Sequence, residues 1–156
     1  MTNKTSKTSP LTLIGWRECV ALPDFGIPTI RAKIDTGAAS SSVHATQIEY
    51  STDGDRQLVQ FQIHPHQHNI KDTVTITAPL LEHRPIKSSN GQRQTRPVIE
   101  THIQLGDQLW AIELNLTNRD LMGFRMLLGR QALRKRFLVD VNKSFLQSSP
   151  DHSETL

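Results

Sequence analysis

Over most of this chain apolar residues recur at every second position in short runs. Turn-forming residues end each run before it grows long. Leu58 to Ile63 places Val59, Phe61 and Ile63 on one face, and Thr73 to Thr77 does the same with Val74 and Ile76. Successive strand side chains point to opposite faces, so a spacing of two marks a half-buried strand. Leu11 to Leu22 and Ile27 to Ile34 flank Pro23-Asp24-Phe25-Gly26, whose proline and glycine suit a turn. Pro97 to Leu105 and Gln108 to Leu116 flank Gly106-Asp107 and predict a second tight hairpin. Gly129 to Phe137 reads as one short helix, with Leu133 and Phe137 on a shared face, and Phe137 to Val141 as a last strand. Many short strands, frequent turns and a single helix near the C-terminus predict a mostly-β fold, a small closed barrel.

At 156 residues the chain holds one domain, expected over 11–146. Residues 1–10 and 147–156 are polar and read as disordered tails. No apolar run approaches the ~20 residues that span a bilayer, and the first ten residues lack the apolar core of a secretory signal. Read as a native start, this predicts a cytoplasmic protein with no membrane partner. Cys19 is the single cysteine, so no intrachain disulfide can form, and it reads as a small buried hydrophobe. Trp16, Trp110 and Phe61 are expected in the core. Two polar stretches read as mobile loops, His64 to Asn69 and Glu82 to Arg96.

The stretch that carries chemistry is Ala32-Lys33-Ile34-Asp35-Thr36-Gly37-Ala38. A strand ends in a carboxylate, followed by a small hydroxyl residue and a glycine. Gly37 lets the backbone pass close to the carboxylate where a Cβ would obstruct it. Thr36 can hydrogen-bond across a tight backbone crossing. By itself the tripeptide also fits a simple turn. A second element follows far along the chain: Met126-Leu127-Leu128-Gly129-Arg130-Gln131-Ala132-Leu133, two apolar residues, Gly-Arg and a short helix.

In this order the chain resembles the retropepsins, the single-domain aspartic proteases of retroviruses, across about Leu13 to Val141. The runs IGWRECVALPDFGIPTIRAKIDTGA, RPVIE and LTNRDLMGFRMLLGR resemble more closely a bacterial family named ATP-dependent zinc proteases. Its members are also described as retropepsin-like peptidases associated with ATP-grasp ligases that add glutamates. The resemblance implies the acid-protease fold and a catalytic Asp35. It implies a loop supported by Thr36, Gly37, Ala38, Leu128, Gly129 and Arg130, and a flap over the substrate at Ser88, Ser89, Asn90 and Gly91. The chemistry implied is hydrolysis of peptide bonds by a water set between two carboxylates. This chain has one Asp-Thr-Gly, so the second carboxylate must be Asp35 of another copy, in a homodimer. No cofactor is implied: the sequence holds neither a GxxxxGK[ST] phosphate loop nor an HExxH zinc motif. One departure stands out. Retroviral proteases follow Asp-Thr-Gly-Ala with a second aspartate that pairs with the Gly-Arg arginine. Here that position is Ala39, which leaves Glu18 and Asp140 as candidate partners of Arg130.

Other readings compete. His64, His66 and His68 at a spacing of two would share one strand face and suit zinc, which makes a zinc-dependent peptidase the alternative enzyme. Pro65 interrupts that strand, and a solvated loop is the plainer reading. A catalytically silent peptide-binding domain of the same fold is a third reading. Arg84, Lys87, Arg93 and Arg96 crowd the flap region and suit either a solvated loop or an acidic substrate such as a glutamate-rich peptide. The net charge of +3 allows nucleic acid without demanding it, and the lack of an aromatic ladder beside Arg134-Lys135-Arg136 argues against it. Ser40-Ser41-Ser42 followed by His44 is a weak hint of a Ser/His pair, since such pairs are defined by geometry.

Overall fold

In the computed structural model, residues 10–66, 72–88 and 90–150 are described. The sequence alternation becomes strands almost throughout. β1 (Thr12–Gly15) and β2 (Arg17–Leu22) lead into a 3-10 turn at Pro23–Phe25. Gly26 closes that turn at φ +68°, a conformation that favours glycine, and starts β3 (Ile27–Asp35). There follow β4 (Ser41–His44), β5 (Thr46–Asp53), β6 (Arg56–Ile63), β7 (Val74–Pro79) and β8 (Glu82–Lys87). The chain ends with β9 (Arg93–Leu105), β10 (Gln108–Thr117), β11 (Met126–Gly129), α1 (Arg130–Leu133) and β12 (Phe137–Asp140).

Hydrogen bonds join β10, β4, β11, β3, β2 and β9 in that order, and β9 pairs back with β10. The strands therefore close into a ring, which removes the open sheet edges that invite aggregation. Two joints of the ring are parallel, β3 with β11 and β10 with β4. The β5–β6–β7 sheet packs its buried face against the ring, with Val59, Phe61 and Ile63 fully buried in the same core as Ile30, Leu114 and Met126. Phe25 meets Phe61 edge to face at 6.0 Å. Among the described residues no helix is long and apolar enough to cross a membrane.

The structure departs from the sequence reading at four places. Glu82 to Arg96 is a hairpin rather than a loop, paired in register from Glu82↔Val98 to Lys87↔Arg93. It extends away from the core, so β8 buries no side chain fully and carries little apolar alternation. The helix is a single turn, because Arg134 is already extended and Lys135 is left-handed at φ +69°. Phe137 is buried from β12 instead of from a helix face. Trp16 is only half-buried, edge-on to Phe124 at 6.0 Å and covered by the Arg17 guanidinium. Finally Gln147 and Ser148, read as the start of a tail, are tied to Glu18. The expected tail residues 1–9 and 151–156 lie outside the described residues.

Glu18 explains that tether. Its side chain is wholly buried and accepts bonds from the backbone N–H of Gly15, Leu146 and Gln147 and from the Ser148 hydroxyl, at 2.6 to 3.1 Å. A carboxylate taken from water needs such donors. In supplying them, residues 146–148 close over β1 and β2.

Candidate active site

Asp35 is the last residue of β3, and the parallel register sets it opposite Gly129, the last residue of β11. The chain then turns: Ala38 N–H donates to Asp35 O at 3.2 Å, and Gly37 N–H donates to Asp35 Oδ1 at 3.0 Å. The second bond orients the carboxylate. A Cβ on Gly37 would lie 3.3 Å from that same oxygen, so glycine keeps the turn tight.

The Leu-Leu-Gly-Arg segment locks this loop from behind. Arg130 N–H donates to Ala38 O at 2.8 Å and Gln131 N–H to Ala39 O at 3.1 Å. The buried Gly129 N–H donates to Ser41 Oγ at 3.1 Å. A Cβ at Gly129 would overlap the Ser40 carbonyl and lie 2.9 Å from Ala38 O, so the two segments approach this closely only with glycine there. Leu128 is fully buried beside Ile34, whereas Leu127 faces the groove described below. Arg130 pairs with neither Glu18 nor Asp140. Its Nη1 donates to the carbonyls of Gly37 and Thr36 at 3.2 and 3.4 Å. The missing aspartate at Ala39 is thus replaced by main-chain oxygens. Glu18 is consumed by the C-terminal tether, and Asp140 caps the Asn142 N–H.

Asp35 opens into a groove of about 750 Å³. The β8–β9 hairpin stands over it, with Ile86, Lys87, Ser88 and Asn90 on its wall. The hairpin tip is a tight turn: Ser88 N–H donates to Gln92 O at 2.7 Å, Asn90 Oδ1 accepts from Gln92 N–H at 3.1 Å, and Gly91 takes φ +85°. Of the expected flap residues, Ser88 and Asn90 line the groove, Gly91 lies in the turn, and Ser89 lies outside the described residues.

Arg119 escaped the sequence reading, which named Ser42 and Arg96 without bringing them together in this groove. Ser41 accepts from Gly129 N–H, and neither Ser41 nor Ser42 pairs with His44. Ser42 donates to Asn115 Oδ1 at 2.8 Å, and His44 Nδ1 instead meets Arg125 Nη1 at 3.2 Å. Burial, then the Arg125 charge, pulls the His44 pKa down. Arg96 lines the groove at 5% exposure, and Arg119 lies on the same wall. Burial, then repulsion from Arg119, lowers the pKa of the Arg96 guanidinium from its ordinary value. The signal that could have drawn attention to this region is the run of three serines straight after Asp-Thr-Gly-Ala-Ala.

The histidine loop is organised differently. His64 bonds the hydroxyls of Thr46 at 3.0 Å and Thr73 at 2.8 Å through its two ring nitrogens, and burial lowers its pKa. His66 stands 3.6 Å from Asp72, and His68 lies outside the described residues. Among the described residues no three His, Cys, Asp or Glu side chains are grouped to hold a metal ion.

A family model for the RimB-like proteins, described as the retropepsin-like aspartic endopeptidase RimB, matches residues 13–150. The chain belongs to this RimB-like, retropepsin-like aspartic endopeptidase family. Curated relatives include a probable alpha-L-glutamate ligase of Shewanella pealeana, 44% identical over 133 residues, which are 85% of this chain and 29% of that protein. A probable alpha-L-glutamate ligase of Desulfotalea psychrophila is 43% identical over 129 residues, 82% of this chain and 28% of its own. The chain thus spans under a third of the length of these relatives. Among solved structures, the protein Lpg0085 of Legionella pneumophila, of unknown function, superposes with a TM-score of 0.71 at 28% identity, over 87% of this chain and 98% of its own. The RimB-like match covers both the Asp35 loop and the Gly129-Arg130 segment that locks it.

Proposed function

We propose that this chain is one half of a homodimeric aspartic endopeptidase, with Asp35 of each copy facing the other across a two-fold axis. The observation that carries the reading is the pairing of Asp35 with Gly129 at the ends of two parallel strands, beneath a hairpin and open to a groove. Gly37 N–H and the Arg130 clamp hold the loop, so the carboxylate is presented without needing reorganisation.

Two carboxylates about 3 Å apart cannot both ionise, so the pair would share one proton. The ionised member takes a proton from a water, whose oxygen attacks the scissile carbonyl. The protonated member donates to the carbonyl oxygen, giving a neutral tetrahedral diol. Collapse of the diol then breaks the C–N bond as a proton passes to the leaving amine. The hairpin tip at Ser88, Asn90 and Gly91 would cover the peptide and exclude bulk water. The substrate we propose is an acidic, glutamate-bearing peptide in the cytoplasm. The cations Lys87, Arg96 and Arg119 on the groove wall and the glutamate-ligase names of the relatives support it. A working association with an ATP-grasp glutamate ligase is proposed on the same grounds.

Asp35→Asn is nearly isosteric and should abolish hydrolysis of a glutamate-rich peptide while the melting temperature holds. Sedimentation should show a dimer under the conditions that support turnover. Wild-type turnover in the variant would overturn the aspartic mechanism. Activity should also survive EDTA. Loss on chelation with recovery on added zinc would put the zinc-dependent reading in its place.

A further inference from the structure

Arginine is rarely fully buried unless an opposite charge meets it. Arg96 is 5% exposed, and among the described residues no carboxylate pairs with it. Its hydrogen bonds go to neutral oxygens: Nε to Gln94 Oε1 at 2.8 Å, and Nη1 to Asn115 Oδ1 at 3.0 Å and Ser42 Oγ at 3.3 Å. Those oxygens do not depend on it. Asn115 Oδ1 also accepts from Ser42, and Gln94 Oε1 from Thr117. Nη2, the remaining arm of the guanidinium, has no protein partner among the described residues and is not enclosed.

The neighbouring strand sharpens the contrast. Arg84 stands directly opposite Arg96 in the β8–β9 register, and both Glu82 and Glu113 bond to it. Those carboxylates raise the Arg84 pKa, while Arg96 is left facing a second cation, Arg119. The fold therefore holds a desolvated, positioned and uncompensated guanidinium on the wall of the groove that contains Asp35. A guanidinium so placed can offer Nη2 to a carboxylate oxygen in a charge-assisted hydrogen bond.

We propose that Arg96 is the specificity-determining residue of this groove and grips a carboxylate of the bound peptide. The carboxylate belongs either to an acidic side chain or to a free C-terminus. This rests on the peptidase reading for the peptide's presence in the groove. Binding rather than turnover tests it, in an Asp35→Asn chain that should leave the peptide intact. Three peptides of equal length are titrated: a glutamate-containing peptide with an amidated C-terminus, its glutamine counterpart with a free C-terminus, and that counterpart amidated. One of the two carboxylate-bearing peptides should bind about tenfold or more tightly than the neutral one, which identifies the carboxylate's source. Adding Arg96→Gln should erase that preference and leave the neutral peptide's affinity unchanged. Equal binding of all three, no binding of any, or a preference that survives Arg96→Gln overturns the proposal. Should Arg96→Gln not fold, the Nε resonance of Arg96 in the Asp35→Asn chain decides. It should shift with the preferred peptide and not with the neutral one, and an unmoved resonance at saturation overturns the proposal. Cleavage by the Asp35→Asn chain would instead count against the aspartic mechanism and leave the binding comparison standing.

Discussion

Among the described residues two charged side chains are buried, Glu18 and Arg96, and they are treated in opposite ways. Where residues 146–148 lie against β1 and β2, Glu18 is enclosed completely and every donor around it is provided by the chain. In the groove, Arg96 is nearly as buried but has only neutral oxygens that are already served from elsewhere. The first arrangement is a closed socket in which charge fastens the C-terminal segment to β1 and β2. The second leaves a charge uncompensated, which a fold built for stability alone would not retain. Structural and functional burial are thus told apart by whether the protein supplies the counter-groups.

The largest effect should come from opening the socket. Glu18→Ala strands three backbone N–H groups and a hydroxyl, and should lower stability in urea melts by about 3–5 kcal/mol. A loss below about 1 kcal/mol would mean that water replaces the carboxylate easily and that the socket is not closed. Gly129→Val tests the base of the groove. The added side chain meets the Ser40 carbonyl rather than a flexible side chain, so a loss of about 3 kcal/mol is expected, read by the same melts.

Arg96→Met should behave unlike either. Removing an uncompensated buried charge leaves no stranded acceptor, so stability should change by less than about 1 kcal/mol. A loss as large as that for Glu18→Ala would show that Arg96 is a structural residue after all and break the comparison.

A pH titration of the melting temperature gives a further, smaller effect. His44 and His64 both have folded-state pKa values lowered by burial, so the unfolded chain takes up protons more readily. The stability from keeping these rings neutral is complete above the unfolded value of about 6.5 and is lost as pH falls below it. A His44→Asn/His64→Gln double variant should flatten this part of the curve, and an unchanged slope would assign the effect to other groups. The smallest effect belongs to the exposed Asp24, whose pKa is lowered by hydrogen bonds from His102. Its contribution is present above the ordinary aspartate range and fades as pH falls through the lowered value. Asp24→Asn should shift the acid limb only slightly, since both partners face solvent.

Much of this was legible in the amino-acid order. The Gly106-Asp107 hairpin, the buried face of Val59, Phe61 and Ile63, and the turn at Pro23–Phe25 all follow from nearest-neighbour chemistry. The Asp35 loop and the Gly129-Arg130 segment were recognisable as residue types in order. The flap region was harder to read. Its hairpin has little hydrophobic alternation because it projects from the ring, so its strands hold together mainly by backbone pairing. The burial of Arg96 left no local trace, since that side chain sits in a basic, polar stretch that resembles any solvated loop.

The sequence alone determined that the chain is mostly β, where several of its strands lie, and that an aspartate would sit at a tight strand-to-loop turn. Strand period and turn preference act over a few residues, and a linear reading captures them. Only the tertiary structure decided which distant groups meet. Thr36 and Arg130 are 94 residues apart in the chain, and closure of the ring through parallel strands is what joins them. The same closure decided that Glu18 would find donors in residues 146–148 and that Arg96 would find no carboxylate among the described residues. Desolvation and charge pairing depend on everything packed around a group, and that neighbourhood is set by the fold rather than by adjacent residues.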